Sequence, residues 1–148
     1  MIKVERVPVV ELGQVAGLYQ AAGYGGGVAE ADVTLAAWHG GHMIGVVRLC
    51  EEGGVTVLRG MQVLPEFQRQ GVGRMLLEHC VPYLDRDVAY CLPYTHLVQF
   101  YGQAGFATAA PEELPPFLAK RLVGYAVSGH KVLAMRRSGS GAGGIAPR

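Results

Sequence analysis

Charge is scarce in this chain. Asp, Glu, Lys and Arg make up 17% of its 148 residues, against about 25% in an average globular domain. Half of the residues are apolar, which excludes intrinsic disorder, a state of low apolar content and high charge. A basic surplus is also lacking: 13 Lys and Arg face 12 Asp and Glu, for a net charge of +1. A general nucleic-acid binder needs more positive charge than this to displace counterions. Cysteine is sparse, and Cys50, Cys80 and Cys91 are scattered with no C-x-x-C spacing. They read as reduced, buried thiols in a cytoplasmic protein rather than as a disulfide frame. No stretch approaches the roughly 18 uninterrupted apolar residues of a membrane span. The opening MIKVERVPVVELG has no apolar run after a basic start, so no signal peptide is expected. The expectation is a cytoplasmic domain with neither a membrane nor a nucleic-acid partner. At this length it can bury roughly two-thirds of its unfolded surface, enough for a core without metal or disulfide staples.

Glycine, by contrast, is abundant, at 22 residues. Part of it lies in SGSGAGGIAPR from Ser138 on, so the chain divides into a domain over residues 1–137 and a flexible Gly/Ser-rich tail over 138–148. Gly25-Gly26-Gly27 marks a loop. Ile2 to Val7 alternates as a strand, and Val10 to Ala22 has helical spacing. Val33–Trp38, His42–Cys50 and Val55–Leu64 then read as three strands joined by short Gly-containing turns, an antiparallel meander. From Val72 the period changes to 3.6, with Val72, Met75, Leu76, Cys80, Tyr83 and Leu84 on one face. Pro82 places the end of that helix near Val81, or a kink there. Val88–Leu92 reads as a strand, and Thr95 as the N-cap of a short helix through Ala104. Glu112–Tyr125 reads as a helix with Pro115 and Pro116 in its first turn, and His130–Met135 as a last strand. The fold class is mixed α/β or α+β.

The chemistry concentrates in VLPEFQRQGVGR, Val63 to Arg74. A strand ends at Pro65, a polar Gly-containing loop follows, and an amphipathic helix begins at once. The first-turn amides of a helix lack intrahelical partners and carry the positive end of its dipole. Gly71 and Gly73 leave room for close approach, and Arg69 and Arg74 add positive charge, so the segment suits a diphosphate. A Walker loop is excluded by spacing and by the missing Lys. The dinucleotide fingerprint is excluded because Leu76 stands where its third glycine belongs. What remains, Q-x-x-G-x-G, is equally compatible with a ligand-free turn.

The longer run LRGMQVLPEFQRQGVGRMLLEHC resembles the acyl-CoA-binding motif of the GNAT superfamily of N-acetyltransferases. The later THLVQFYGQAGF resembles that family's helix and turn after the fifth strand. Both occur in the family's order and separation, and the resemblance covers most of residues 1–136. It implies a central, mostly antiparallel sheet flanked by helices and splayed where acyl-CoA inserts. It further implies acetyl-CoA as co-substrate, with an acetyl group moved to a primary amine of a small or amino-acid-like acceptor. A protein N-terminus or lysine is the alternative acceptor, and a non-catalytic acyl-CoA sensor the alternative from another class. Dimerisation is common in the family, though no sequence signal here speaks for it.

Residue by residue, the resemblance places the pantetheine arm on the amides of Met61, Gln62, Val63 and Leu64. The amide of Val63 would also polarise the thioester carbonyl. The pyrophosphate would lie on the Gln68, Arg69, Gln70, Gly71, Val72, Gly73, Arg74 and Met75 segment. Tyr101 takes the place of the phenol that protonates the departing thiolate; packing against the sheet is the other reading. Arg59 stands where many relatives carry a basic Glu, and Arg cannot act as a base. It fits an acceptor carboxylate, or an ion pair with Glu51 or Glu52. His96 stands near the family's pantetheine-contacting Asn. Acceptor specificity would come from Tyr19–Gly27, including Tyr24, and from Thr108–Ser128. The aromatics Tyr19, Tyr24, Tyr94, Phe117 and Tyr125 fit either a pocket lining or core. His130, Glu112 and Glu113 are base candidates. No metal is expected, since His39 and His42 have no carboxylate or thiol partner in sequence. Cys91 reads as a buried thiol rather than an acyl carrier.

Overall fold

A computed structural model describes residues 1–139, so most of the expected tail lies outside the described residues. Among the described residues the sheet has seven strands: β1 (Ile2–Arg6), β2 (Val33–His39), β3 (His42–Glu52), β4 (Val55–Val63), β5 (Ala89–Cys91), β6 (Ala107–Ala109) and β7 (Ala134–Arg137). Their order is β1-β2-β3-β4-β5-β7-β6, and the β4–β5 pair is parallel while the registers of β1–β2, β2–β3, β5–β7 and β6–β7 are antiparallel. Helices α1 (Leu12–Ala21), α2 (Val72–Leu84), α3 (Val98–Gly102) and α4 (Pro116–Val127) complete the mixed α/β fold.

The chain folds as two compact units. The first comprises Met1–Cys50 and Leu58–Val81. Its meander follows from strand alternation and Gly-rich two-residue turns. Within β3, Ile44 to Cys50 are all buried, as befits a strand covered on both faces. α1 sets Val15, Leu18 and Tyr19 against Val7, Ala36 and Val46. The second unit comprises Glu51–Val57 and the described residues from Pro82 onward. Its core joins Val57, Tyr90 and Ala134 to Leu114 and to Leu118 of α4.

Several boundaries differ from the sequence reading. α2 runs through Pro82 to Leu84; Pro82 has no N–H for the Glu78 carbonyl, but both residues are exposed, so water can serve that carbonyl. Thr95 is not a helix cap but the first residue of a 3-10 turn, Thr95–Leu97, and α3 follows with Leu97 at its N-cap position. Glu112 is not helical in the α sense: Pro111–Glu113 is a separate 3-10 turn, and α4 starts at Pro116, where a missing amide is harmless. The last strand is shifted to Ala134–Arg137, with only an isolated bridge from Val132 to Tyr94 before it. β6 was not expected. Its three residues, Ala-Thr-Ala, carry no apolar signal and form a strand only by pairing with β7.

Candidate functional site

In the first unit, β4 passes into α2 through a braced turn. Pro65–Phe67 forms a 3-10 turn, and the Leu64 amide donates to the Ile44 carbonyl at 2.9 Å. The carboxamide of Gln68 donates to the Val63 carbonyl at 3.0 Å, and that of Gln70 to the Glu66 carbonyl at 3.1 Å. Both glutamine side chains therefore hold the loop to itself. Arg69 adopts a left-handed conformation, φ +64°, which costs a non-glycine residue on the order of 1 kcal/mol. Gly71 follows with φ +82°. Its carbonyl accepts from the Met75 amide at 3.0 Å, so the helical ladder starts there. The amides of Val72, Gly73 and Arg74 precede that first rung and present the positive end of the α2 dipole.

Of the amides expected along the cofactor, those of Leu64 and Met75 donate to the carbonyls of Ile44 and Gly71. Val72 offers only its backbone, because its side chain is buried in the core. The Arg74 guanidinium lies 3.5 Å from Glu78 in an exposed pair one helical turn apart.

Within β4, Gly60 also takes a left-handed conformation, φ +66°. Its carbonyl accepts a hydrogen bond of 2.9 Å from the Tyr19 hydroxyl. The same hydroxyl accepts from Nε of Arg48 at 3.1 Å, and Nη1 of Arg48 meets Oδ2 of Asp32 at 3.0 Å. Arg48 is only 4% exposed. Although burial alone would lower its pKa, the Tyr19 hydroxyl, the Cys50 thiol and Asp32 more than offset this, and the guanidinium stays charged. Burial pushes the Tyr19 phenol up to about 12, against the pull of Arg48, so it remains a donor. Tyr24 is half-buried, and its ring packs on that of Tyr19 with centroids 4.6 Å apart. Met61, Gln62 and Val63, which follow Gly60, are half-buried, and so is Arg59 before it.

This network escaped the sequence reading, which had Tyr19 as either pocket lining or core. One signal was available: Arg48 is the lone charge in the apolar run MIGVVRLC. A buried charge must be paired, but its partners lie 29 and 16 residues away.

In the second unit, Tyr101 sits on α3 and is 5% exposed. Its ring meets those of Phe100 and Phe106 edge to face. His96 is exposed and stacks on Tyr94 at 6.0 Å. The Tyr94 hydroxyl lies 3.4 Å from Nδ1 of His130, whose ring also meets Tyr125 edge to face. Glu52 accepts from Arg121 at 2.7 Å, while Glu113 is spent on the Ala110 amide.

All three cysteines are free and buried. Burial pushes Cys50 up to about 11 and Cys80 up to about 12, and holds Cys91 higher still. None is a thiolate nucleophile near neutral pH. Among the described residues, no cluster of three or more His, Cys, Asp or Glu could hold a metal ion. No helix among them is long and apolar enough to cross a membrane.

The model of the acetyltransferase (GNAT) domain matches residues 28–108. No curated protein matches the chain. Solved structures do. The N-acetylglutamate synthase of Neisseria gonorrhoeae, complexed with coenzyme A and N-acetyl-glutamate, superposes with a TM-score of 0.71 at 17% identity, over 94% of this chain. The chain spans only 35% of that protein. The ribosomal-protein-S18-alanine N-acetyltransferase of Escherichia coli gives 0.68 at 18% identity, over 94% of both chains. The PaiA N-acetyltransferase of Thermoplasma acidophilum, in complex with coenzyme A, gives 0.63 at 12% identity, over 93% of this chain and 99% of that one. At such identities the likeness is one of fold.

Proposed function

The chain belongs to the GNAT acetyltransferase family, and from that premise we propose that it moves an acetyl group from acetyl-CoA to a primary amine of a small, amino-acid-like acceptor. The observation that carries this reading is the β4–α2 turn. There, left-handed Arg69 and Gly71 lead into the Val72, Gly73 and Arg74 amides ahead of the first helical rung. Such a turn offers a diphosphate several N–H donors and the helix dipole together.

In this reading the amides from Arg69 to Arg74 hold the pyrophosphate, and the Met61–Val63 backbone holds the pantetheine arm. The neutral amine attacks the thioester carbon, the N–C bond forms and the C–S bond breaks. The Val63 amide stabilises the oxyanion in between. Tyr101 gives its phenolic proton to the leaving thiolate, and His96 contacts the pantetheine. Tyr24 and Arg59 face the acceptor, with Arg59 pairing a carboxylate. His130, beside Tyr94, is the base candidate, and the whole sits in one acyltransferase domain over residues 1–137. The non-catalytic sensor reading has one observation in its favour, the arginine at position 59 in place of a carboxylate base.

Isothermal titration with acetyl-CoA, with NADH and ATP as controls, tests the proposal. Saturable binding of acetyl-CoA alone, abolished when Gly71 and Gly73 are both replaced by bulky residues, supports it and justifies an amine screen by thiol release. No binding of any acyl-CoA removes it. Binding without turnover across the screen favours the sensor.

A further inference from the structure

We infer that Asp32, Arg48 and Tyr19 form a positioning chain that fixes the β4 backbone at Gly60, and through it the alignment of the acyl-pantetheine arm on the amides that follow. The inference rests on the acyltransferase reading and names residues that reading does not use.

A left-handed residue inside a strand turns its carbonyl out of the ladder, and a buried carbonyl without a partner is costly. At Gly60 the Tyr19 hydroxyl supplies that partner. A hydroxyl has one hydrogen, and Tyr19 gives it to Gly60, so its direction matters. Arg48 sets that direction by donating Nε to the phenolic oxygen, which leaves the hydrogen only the Gly60 side. Asp32 in turn holds Arg48, with side-chain exposures of 9% and 5%. The hydrogen bonds thus run one way, from Arg48 through Tyr19 to the strand, with a carboxylate anchoring the guanidinium.

Only glycine permits this arrangement. A Cβ on Gly60 would collide with the Tyr19 hydroxyl and stand 3.2 Å from Nε of Arg48. A buried ion pair adds little net stability compared with apolar residues of the same volume. What it adds here is a single orientation, at the residue directly before Met61, Gln62 and Val63. Alignment of reacting groups is steep in its effect: a misplacement of about 1 Å can cost about a hundredfold.

Two titrations on Tyr19→Phe test the chain. One uses acetyl-CoA; the other uses adenosine 3′-phosphate 5′-diphosphate, which keeps the nucleotide and both phosphates but lacks pantetheine. The expected result is a loss of roughly tenfold in acetyl-CoA affinity, in line with one backbone hydrogen bond to the pantetheine arm lost by misalignment, with the fragment's affinity unchanged. A merely structural role would weaken both probes together or lower only the melting temperature, and either result overturns the inference, as does unchanged affinity for both. Should Tyr19→Phe fail to fold, Asp32→Asn is titrated with the same probes. It keeps an acceptor for Arg48 without the charge, and a smaller loss confined to acetyl-CoA is expected; no selective loss overturns the inference. Wild-type protein that binds neither probe overturns the acyltransferase reading itself, and the chain with it.

Discussion

The side chain of Gln68 donates to the main-chain carbonyl of Val63 at 3.0 Å, closing the loop over residues 63–68 between the end of β4 and the approach to α2. The strand that would hold the thioester is thereby tied to the turn that would hold the phosphates. Gln68 is exposed, so Gln68→Ala should change unfolding stability by less than about 0.5 kcal/mol. Acetyl-CoA affinity should nevertheless fall several-fold, because the loop loses its brace. Urea denaturation and calorimetric titration on the same variant check both halves.

Gly60→Ala should be costly. A left-handed alanine costs about 1–2 kcal/mol, and the collision with Tyr19 adds overpacking strain of about 1–3 kcal/mol. An overall destabilisation of about 3 kcal/mol is expected from urea denaturation. A change below about 1 kcal/mol would mean that the backbone at this position is free to relax.

The buried hydroxyl and thiols give the fold an alkaline limit. Burial raises Tyr19 from 10.0 to about 12, Cys50 from 9.0 to about 11 and Cys80 from 9.0 to about 12. Each group is protonated in the folded state at pH values where the unfolded chain has already lost the proton. Unfolding then releases protons, so stability falls as pH rises. This contribution is complete below about pH 9 and is lost progressively up to about pH 12. Melting temperatures over that range check the sign. At pH 8 the three thiols should resist an aromatic disulfide reagent until the protein is denatured.

Tyr101→Phe separates acid catalysis from packing. The ring contacts with Phe100 and Phe106 survive the substitution, so the melting temperature should hold to within a few degrees. A general acid typically contributes about 10²–10⁴ in rate. Turnover with an acceptor found by screening should fall at least about a hundredfold while acetyl-CoA affinity is kept. Unchanged turnover would leave Tyr101 as a packing residue.

Arg59→Ala addresses the acceptor. If Arg59 pairs with a carboxylate, KM should rise roughly tenfold or more for amino-acid acceptors, since hydrogen bonds to charged groups contribute about 1.5–3 kcal/mol. It should stay level for the corresponding amines that lack the carboxylate. An unchanged KM for both sinks the carboxylate pairing.

The sequence by itself determined the parts whose causes are local. The meander from Val33 to Val63 follows from two-residue periodicity and Gly-containing turns. α2 follows from its 3.6-residue period, and the Val63–Arg74 turn from one short stretch of loop residues between a strand and a helix. Set in its longer run, and followed by THLVQFYGQAGF at the right separation, that stretch pointed to the GNAT family, and neighbouring amides along a chain need no partner from elsewhere to form a phosphate cradle. The buried state of the three cysteines was legible from their odd number and scattered spacing, which offer no disulfide frame.

Tertiary structure alone decided the rest. Three residues of β6 carry no pattern, and they are strand only because β7 offers a ladder. Glu52 has its partner Arg121 69 residues away, a pairing no local spacing announces. Most clearly, the lone charge of Arg48 said that a partner must exist but not which one. Asp32, Tyr19 and Gly60 come together with it from a loop, a helix and a strand, through hydrogen bonds that span 16 to 41 residues. A hydrogen bond is made in three dimensions and has no period along the chain, so the fold, and not the sequence pattern, chose which side chain would hold the backbone of β4.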